Sequence, residues 1–378
     1  MKIKQFKLNN KHWFCRFEEA VISRLIAPSY AEYSAKLEYP FASEEDLVEI
    51  TERIEKKGDK KISTRDIMKL AIGKDKVVFD TRDYDNGSGG YVGILGNAFS
   101  YFIFEEMGSR WLGIFDIGDG SGSHPDSCHL SGGGLEELVL GSGITGIIVF
   151  KRELSDEEVL MKYYPWPASG MAPLGIPSGN EDQIYNIKKE IASKNPVKDI
   201  DVLWMGTVVE SHADPPFDQL KNTDWPAYWR LNGFKKLMEI KESRPDLNIV
   251  CSKEKVSTKE YFDLVSRSKI CIDIPGIGWL TRRLTEMLIL EKCVVRMDFR
   301  TKLPYNLEEG VHYHSCGNDY ESLENKIDEL LSNPEMISKV EKNLSDFQYY
   351  LTPDYLAKFI ENECKLQIKT FMENNLNK

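Results

Sequence analysis

The carboxy-terminal half of the chain alternates short apolar runs with longer stretches of helical periodicity. Four apolar runs are typical of buried strands, at 201–208, 247–252, 269–276 and 293–298. Three stretches between them repeat apolar residues every three or four positions, at 225–240, 258–268 and 280–292. Because strands that alternate with helices pair in parallel through crossover connections, the pattern predicts an α/β domain with a doubly wound sheet.

The first 165 residues have a different pattern. Residues 43–57 have the spacing of a helix. Three short apolar runs, rich in β-branched and aromatic residues, predict buried strands at 77–80, 111–116 and 144–150. We interpret this half as a second α/β domain, with Gly-rich loops after its first two strands.

Domain boundaries follow from the segment between these halves. Residues 163–180 contain four prolines and no hydrophobic pattern, which is typical of a connector. The sequence therefore predicts two α/β domains, 1–165 and 183–350, joined by a linker at 166–182 and separated by a cleft. Ligands of open α/β sheets bind outside the carboxyl ends of the strands, so the residues after each strand are the candidates for a site.

Composition and charge restrict the classes of partner. The chain has 378 residues and a formal net charge of −11, so binding to nucleic acid is not expected. No apolar run reaches the length of about 18 residues that a transmembrane helix needs, and the amino terminus lacks the apolar stretch of a signal peptide. The seven cysteines are scattered without CxxC pairs, which favours reduced thiols and a cytoplasmic location. Peripheral contact with a membrane is left open.

The segment 271–295, CIDIPGIGWLTRRLTEMLILEKCVV, carries the strongest chemical pattern. A strand ends near Pro275, and Gly276 and Gly278 allow the backbone to approach a ligand closely. A helix follows, and its N-terminal N–H groups and dipole favour an anion. The segment therefore predicts a binding site for a phosphate group.

Three charged residues at the start of this helix extend the pattern. Arg282 and Arg283 are suited to bidentate phosphate binding. Glu286 lies one turn after Arg283 on the same face, where a carboxylate can accept hydrogen bonds from sugar hydroxyls. An ordinary βα turn with a solvated arginine pair is the alternative.

This segment resembles the donor site of nucleotide-sugar glycosyltransferases of the GT-B type, and the similarity extends over about 200–350. The resemblance implies two Rossmann-like domains that face each other across a cleft, with the first domain binding the acceptor. It also implies that the chain's last segment, 351–378, packs back on the first domain. The donor would be a nucleoside diphosphate sugar, with no further cofactor and no metal. Under the resemblance, the donor-binding residues are Gly206, Arg230, Lys235, Ser252, Lys253, Pro275, Gly276, Gly278, Arg282, Arg283 and Glu286.

Sugar transfer to a hydroxyl also needs a group that accepts the proton. Carboxylates and histidines follow the first two predicted strands of the first domain. Asp119 is the preferred candidate because it lies in a Gly-flanked loop just after a strand, and Asp83 and His124 come next. For each of these residues, the alternative is an Asx-turn residue or a loop cap.

Other chemistries fit the sequence less well. A divalent metal could bind within the cluster Asp116, Asp119, His124, Asp126 and His129, although the spacing matches no familiar metal motif. The Gly-rich loops lack the context of a dinucleotide-binding turn.

Three functions remain from the sequence alone. The first is a glycosyltransferase that acts in glycan or polysaccharide synthesis, with a glycan or another hydroxyl compound as acceptor. The alternatives are a nucleotide-sugar epimerase of the same shape and a non-catalytic nucleotide- or glycan-binding protein.

Overall fold

The structure, a computed structural model, describes most of the second half of the chain and parts of the first. The described residues are 1–7, 21, 24–25, 99–116, 144–154, 169–174, 181–194, 196–208, 226–276 and 278–376. They divide into two compact units, one drawn from Met1–Gly118, His124–Leu174 and Leu356–Lys378, the other from Gly175–Tyr355. The helix predicted at 43–57 and the strand predicted at 77–80 lie outside the described residues.

The first unit contains a five-stranded mixed sheet. Its strands are β1 (Lys2–Lys7), β2 (Phe99–Glu106), β3 (Ser109–Asp116), β4 (Ile144–Lys151) and β5 (Gly170–Pro173). They lie in the order β1-β2-β3-β4-β5. The pairs β1–β2 and β2–β3 are antiparallel, whereas β3–β4 and β4–β5 are parallel. The strands predicted at 111–116 and 144–150 are thus confirmed.

The described strands of the first unit include an antiparallel part, which an all-parallel Rossmann-like sheet does not have. Strands β2 and β3 form a hairpin in which Glu106 pairs with Ser109 across a two-residue turn. Both turn residues, Met107 and Gly108, have positive φ angles of 51° and 74°. Two residues can reverse the chain but cannot form a crossover, so this connection forces antiparallel pairing.

The Pro/Gly-rich segment predicted as a linker contains a strand. Gly170–Pro173 pairs with β4 at the edge of the sheet, and Met171, Ala172 and Leu174 are buried. An edge strand tolerates Pro173 because one side of its ladder needs no N–H donor. This strand assigns residues 170–173 of the predicted linker to the first unit's sheet, and the linker's limits stay a prediction.

The core of the first unit combines aromatic strand residues with the last helix of the chain. The rings of Phe102, Phe115 and Phe150 lie 5.4–6.2 Å apart. The helix Pro353–Leu376 contributes its buried residues from Leu356 onward to the same cluster. This segment, the last in the sequence, is thus part of the first unit's core.

The second unit is an α/β domain with a fully parallel sheet. Its strands are β6 (Ile200–Met205), β7 (Ile249–Ser252), β8 (Ser268–Asp273), β9 (Cys293–Arg296) and β10 (His314–Ser315). Its helices are α1 (Glu181–Lys194), α2 (Pro226–Ser243), α3 (Thr258–Arg267), α4 (Arg282–Ile289), α5 (Leu323–Ser332) and α6 (Pro334–Phe347). The helix Pro353–Leu376, which packs in the first unit's core, is α7. The strand order β10-β9-β8-β6-β7 confirms the doubly wound sheet predicted from the sequence.

Alternate side chains of each central strand pack on opposite faces of this sheet. Val202 and Trp204 of β6 join a core with α2 and α5, whereas Leu203 and Met205 join a core with α1, α3, α4 and α6. Strands buried on both faces are continuous in apolar character, which is why the sequence pattern identified them. Within the described part of the chain, no helix combines the length and hydropathy needed to cross a bilayer.

Candidate functional site

The candidate site lies at the carboxyl edge of the second sheet, where β6 and β8 are neighbours. The chain leaves β6 toward β7 on one side and reaches β8 on the other, so the strand order reverses between these two strands. A crevice opens at such a position, because the two connections run to opposite faces of the sheet. The segments that follow β6 and β8 contain Gly206 and residues 274–281.

Arg283, near the N-terminus of α4, lies over the end of β6. Its Nη1 donates to the carbonyl oxygen of Met205. A Cβ on Gly206 would collide with this guanidinium and with the Trp204 ring. Gly206 therefore leaves the space that Arg283 occupies, and the two predicted residues are brought together.

Arg230 of α2 approaches the same place from the other face of the sheet. Its Nε is buried and has no hydrogen-bond partner among the described residues. Burial, followed by repulsion from Arg283, lowers the pKa of Arg230 to about 10, and Asp273 acts in the opposite direction. A buried guanidinium that is repelled by a second cation is an arrangement that an anion would stabilise.

The glycine loop after β8 borders Arg230. The Gly276 N–H donates to the Gly278 carbonyl oxygen over 2.8 Å, which closes a tight turn. A Cβ on Gly276 would lie 4.0 Å from Arg230 Nη1 and no closer than 3.7 Å to any other described atom. Among the described residues, a side chain at Gly276 would therefore meet only ordinary van der Waals contacts, with Arg230 among its neighbours, although the Gly276 N–H itself is used within the loop. Pro275, just before it, is buried.

A buried polar chain, which the sequence reasoning missed, connects the loop to the sheet. The Thr281 hydroxyl caps α4 by accepting from Leu284 N–H over 3.0 Å, and it donates to Asp273 at the end of β8. The other oxygen of Asp273 lies 3.4 Å from Arg296 Nη1 at the end of β9. Asp273 and Arg296 are each 2% exposed. The only sequence signal for this pair was the presence of charged residues within two largely apolar runs.

Arg282 and Glu286 form an ion pair on α4. Arg282 Nε donates to Glu286 Oε1 over 2.7 Å. Burial raises the pKa of the Glu286 carboxyl, while Arg282 and Arg283 act in the opposite direction. The buried hydroxyl of Tyr261, on α3, has no hydrogen-bond partner in the described residues, and its pKa is raised by burial and then by Glu286. Sequence reasoning missed Tyr261, which carries no motif.

The remaining predicted donor residues lie around this centre. Ser252 accepts from Gly206 N–H through its carbonyl oxygen and from Glu254 N–H through its hydroxyl, so its side chain caps a local turn. Lys253 Nζ lies 5.3 Å from the centre of the Phe234 ring. Lys235 is exposed on α2, five residues beyond Arg230 and therefore on a different face of the helix.

The candidates for the catalytic base are not located by the structure. Asp83, Asp119 and His124 lie outside the described residues, as do Asp126 and His129. Asp116 is the last residue of β3. Within the described residues, no group of three or more His, Cys, Asp or Glu side chains could hold a metal ion.

Comparisons with known proteins give distant structural likenesses. No protein-family model matches the chain, and no curated protein sequence matches it. A glycosyltransferase from Rickettsia africae has 13% identity and a TM-score of 0.37, and the match covers 61% of this chain and 64% of that one. Anabaena Alr3699/HepE, solved in complex with UDP, has 9% identity and a TM-score of 0.38, with 64% and 77% covered. This chain therefore spans less than two thirds of the Rickettsia protein, and similarity at this level assigns no function.

Proposed function

We propose that the protein is a glycosyltransferase that uses a nucleoside diphosphate sugar and binds its diphosphate at the carboxyl edge of the second unit. The observation that carries the proposal is the placement of two arginines after neighbouring strands, where the strand order reverses: Arg230 lies beside Gly276 after β8, and Arg283 lies beside Gly206 after β6. Arg230 Nε is buried without a partner in the described residues. A buried cationic donor of this kind is costly unless an anion binds it.

The geometry favours a diphosphate. Two guanidinium groups offer several N–H donors to two linked phosphates, and Asp273, the nearby carboxylate, already faces Arg296. In sugar transfer, negative charge grows on the departing diphosphate. Two positive charges, one of them in the first turn of α4, would stabilise that charge in the transition state. This is the chemical role for which other enzymes use a divalent metal, so the proposed transferase is metal-independent.

The other elements of the proposal come from the sequence. A GT-B arrangement would place the acceptor, a glycan or another hydroxyl compound, on the first domain. Asp119 is the preferred proton acceptor, with Asp83 and His124 next. Asp119→Asn should lower turnover by about 10²–10⁴-fold while donor binding persists. Unchanged turnover in each of Asp119→Asn, Asp83→Asn and His124→Ala would show that the base is not in these loops.

The proposal is tested by binding and turnover with a panel of nucleoside diphosphate sugars. Arg283→Ala should weaken binding of the accepted nucleotide by about 1.5–3 kcal/mol, the value of a hydrogen bond to a charged group. Lys241→Ala, which removes the same charge from an exposed position at the end of α2, is the matched control. Equal affinity in both variants would contradict the assignment, as would a panel in which no sugar nucleotide binds.

The transferase is distinguished from a binding protein and from an epimerase by its reaction. Tyr261 has a buried hydroxyl on which Glu286 acts electrostatically, and such a group is compatible with a binding protein and with an enzyme. Turnover in the presence of an acceptor therefore decides between an enzyme and a binding protein. Release of free nucleotide distinguishes transfer from epimerisation, which keeps the sugar attached.

A further inference from the structure

The buried polar side chains behind the glycine loop connect the ends of β8 and β9 to the loop and to the start of α4. Arg296 Nε donates to the Met297 carbonyl oxygen over 3.1 Å, and its Nη2 donates to the Trp279 carbonyl oxygen over 3.4 Å. Its guanidinium carbon also lies 3.6 Å from the centre of the Phe299 ring. Arg296 thus contacts β9 and the glycine loop together.

Asp273 completes the connection from the other side. It pairs with Arg296 in the register of β8 and β9, so the two side chains meet across adjacent strands. It also accepts from Thr281, the residue that caps α4. The loop from 274 to 281 is therefore fixed at both its Trp279 carbonyl and its Thr281 hydroxyl.

We infer that Asp273 and Arg296 are positioning residues, which set the loop and the start of α4 so that Gly276 and Arg283 meet the ligand together. The inference rests on the proposed diphosphate site. Neither residue is placed to contact the ligand, because both are almost fully buried. Their effect reaches the ligand through the backbone of the loop and through the capped end of the helix that carries Arg283.

A buried ion pair is also compatible with a purely stabilising role, and the two roles predict different results. Breaking the pair leaves one uncompensated buried charge, whereas replacing both partners by apolar residues is often neutral for stability. The double variant Asp273→Val with Arg296→Met should therefore regain much of the melting temperature that Arg296→Met loses. It should not regain affinity, since Thr281 and Trp279 still lack their partners.

The experiment measures melting temperature and nucleoside diphosphate affinity for the wild type, Arg296→Met and the double variant. We expect affinity to fall by roughly 10- to 100-fold in both variants, the range of coupled networks. Ile327→Ala, in the buried core on α5, is the control for a loss of stability away from the loop, and it should keep wild-type affinity. Wild-type affinity in the double variant would overturn the inference.

If the double variant does not fold, a second pair of variants tests the positioning role of Asp273. Thr281→Val removes the hydroxyl that joins α4 to Asp273, whereas Thr281→Ser keeps it. We expect Thr281→Val to lose affinity and Thr281→Ser to retain it, and equal affinity in the two would overturn the inference.

Hydrogen exchange of the ligand-free protein separates this inference from the proposed function. Amides of 279–284 should exchange faster in Arg296→Met than in the wild type, and unchanged exchange there would contradict the positioning role. Failure of every nucleotide to bind the wild type would instead contradict the proposed function, whatever the exchange result.

Discussion

At the scale of residues, the site depends on a few side chains whose surroundings differ sharply. Arg283 has a carbonyl partner, Arg230 has a buried donor without one among the described residues, and Gly276 lies beside Arg230. The sequence predicted these three residues through spacing at a strand-to-helix turn and through the resemblance that this spacing carries. It did not predict Asp273 and Arg296, because their pairing depends on the register of two strands that lie 20 residues apart in the chain.

Gly276→Ala tests whether the ligand binds beside Gly276 and Arg230. The added methyl group would have only ordinary van der Waals contacts, and replacing glycine restricts the unfolded chain, so stability should be unchanged or should rise by up to about 1 kcal/mol. The methyl group would occupy the ligand's space, so nucleotide affinity should fall about tenfold, or about 1.4 kcal/mol. Calorimetric titration alongside thermal unfolding measures both quantities. Wild-type affinity would place the ligand elsewhere.

Glu286 makes a prediction for the pH dependence of stability. Burial raises the pKa of its carboxyl above the ordinary value of 4.5, so the folded protein holds this proton more tightly than the unfolded chain. The residue's contribution to stability is therefore most favourable below pH 4.5 and is lost as pH rises through the raised folded-state pKa. Glu286→Gln cannot titrate, so its melting temperature relative to the wild type should increase from pH 4 to pH 7, and a difference that stays constant or decreases would contradict this.

At the scale of elements, a strand was predicted from the sequence when its own residues define it, and it was missed when pairing with a distant segment defines it. The strands β6–β9 were predicted because burial on both faces gives each a continuous apolar run. The mixed sheet of the first unit was not predicted, because β2 was not identified as a strand. The two-residue turn that follows β2 contains neither Asn nor Asp, so the sequence carries no clear hairpin signal there. The strand Gly170–Pro173 was missed because it has four residues and a proline, and only its pairing with β4 defines it.

The turn between β2 and β3 provides a stability test at this scale. Met107 is 62% exposed and has a φ of 51°, a left-handed conformation that costs a residue with a side chain roughly 1–2 kcal/mol. Asn-Gly is a preferred pair for such hairpin turns, so Met107→Asn should stabilise the protein by about 1 kcal/mol. Met107→Ala, which removes the exposed side chain without favouring positive φ, is the control. Denaturant unfolding in which the two variants behave alike would contradict this account of the turn.

At the scale of the whole molecule, the proposed function places a concentrated positive charge in an acidic protein. The net charge is −11, yet Arg230 and Arg283 meet at one edge of the second sheet. An acidic surface disfavours extended polyanions, whereas a local pair of guanidinium groups favours a small anion such as a nucleotide. The arrangement of the two units across a cleft and the position of the base stay predictions, because they depend on long-range contacts and on loops outside the described residues.

Selectivity for a diphosphate over a monophosphate, measured without metal, tests the central claim most directly. Calorimetric titration in EDTA compares a nucleoside diphosphate with its monophosphate on the wild type, Arg230→Ala and Lys241→Ala. The account predicts that the wild type and Lys241→Ala bind the diphosphate more tightly by about 1.5–3 kcal/mol, and that Arg230→Ala loses most of this preference. Equal affinity of the wild type for both nucleotides, or binding of the diphosphate only after a divalent metal is restored, would contradict it.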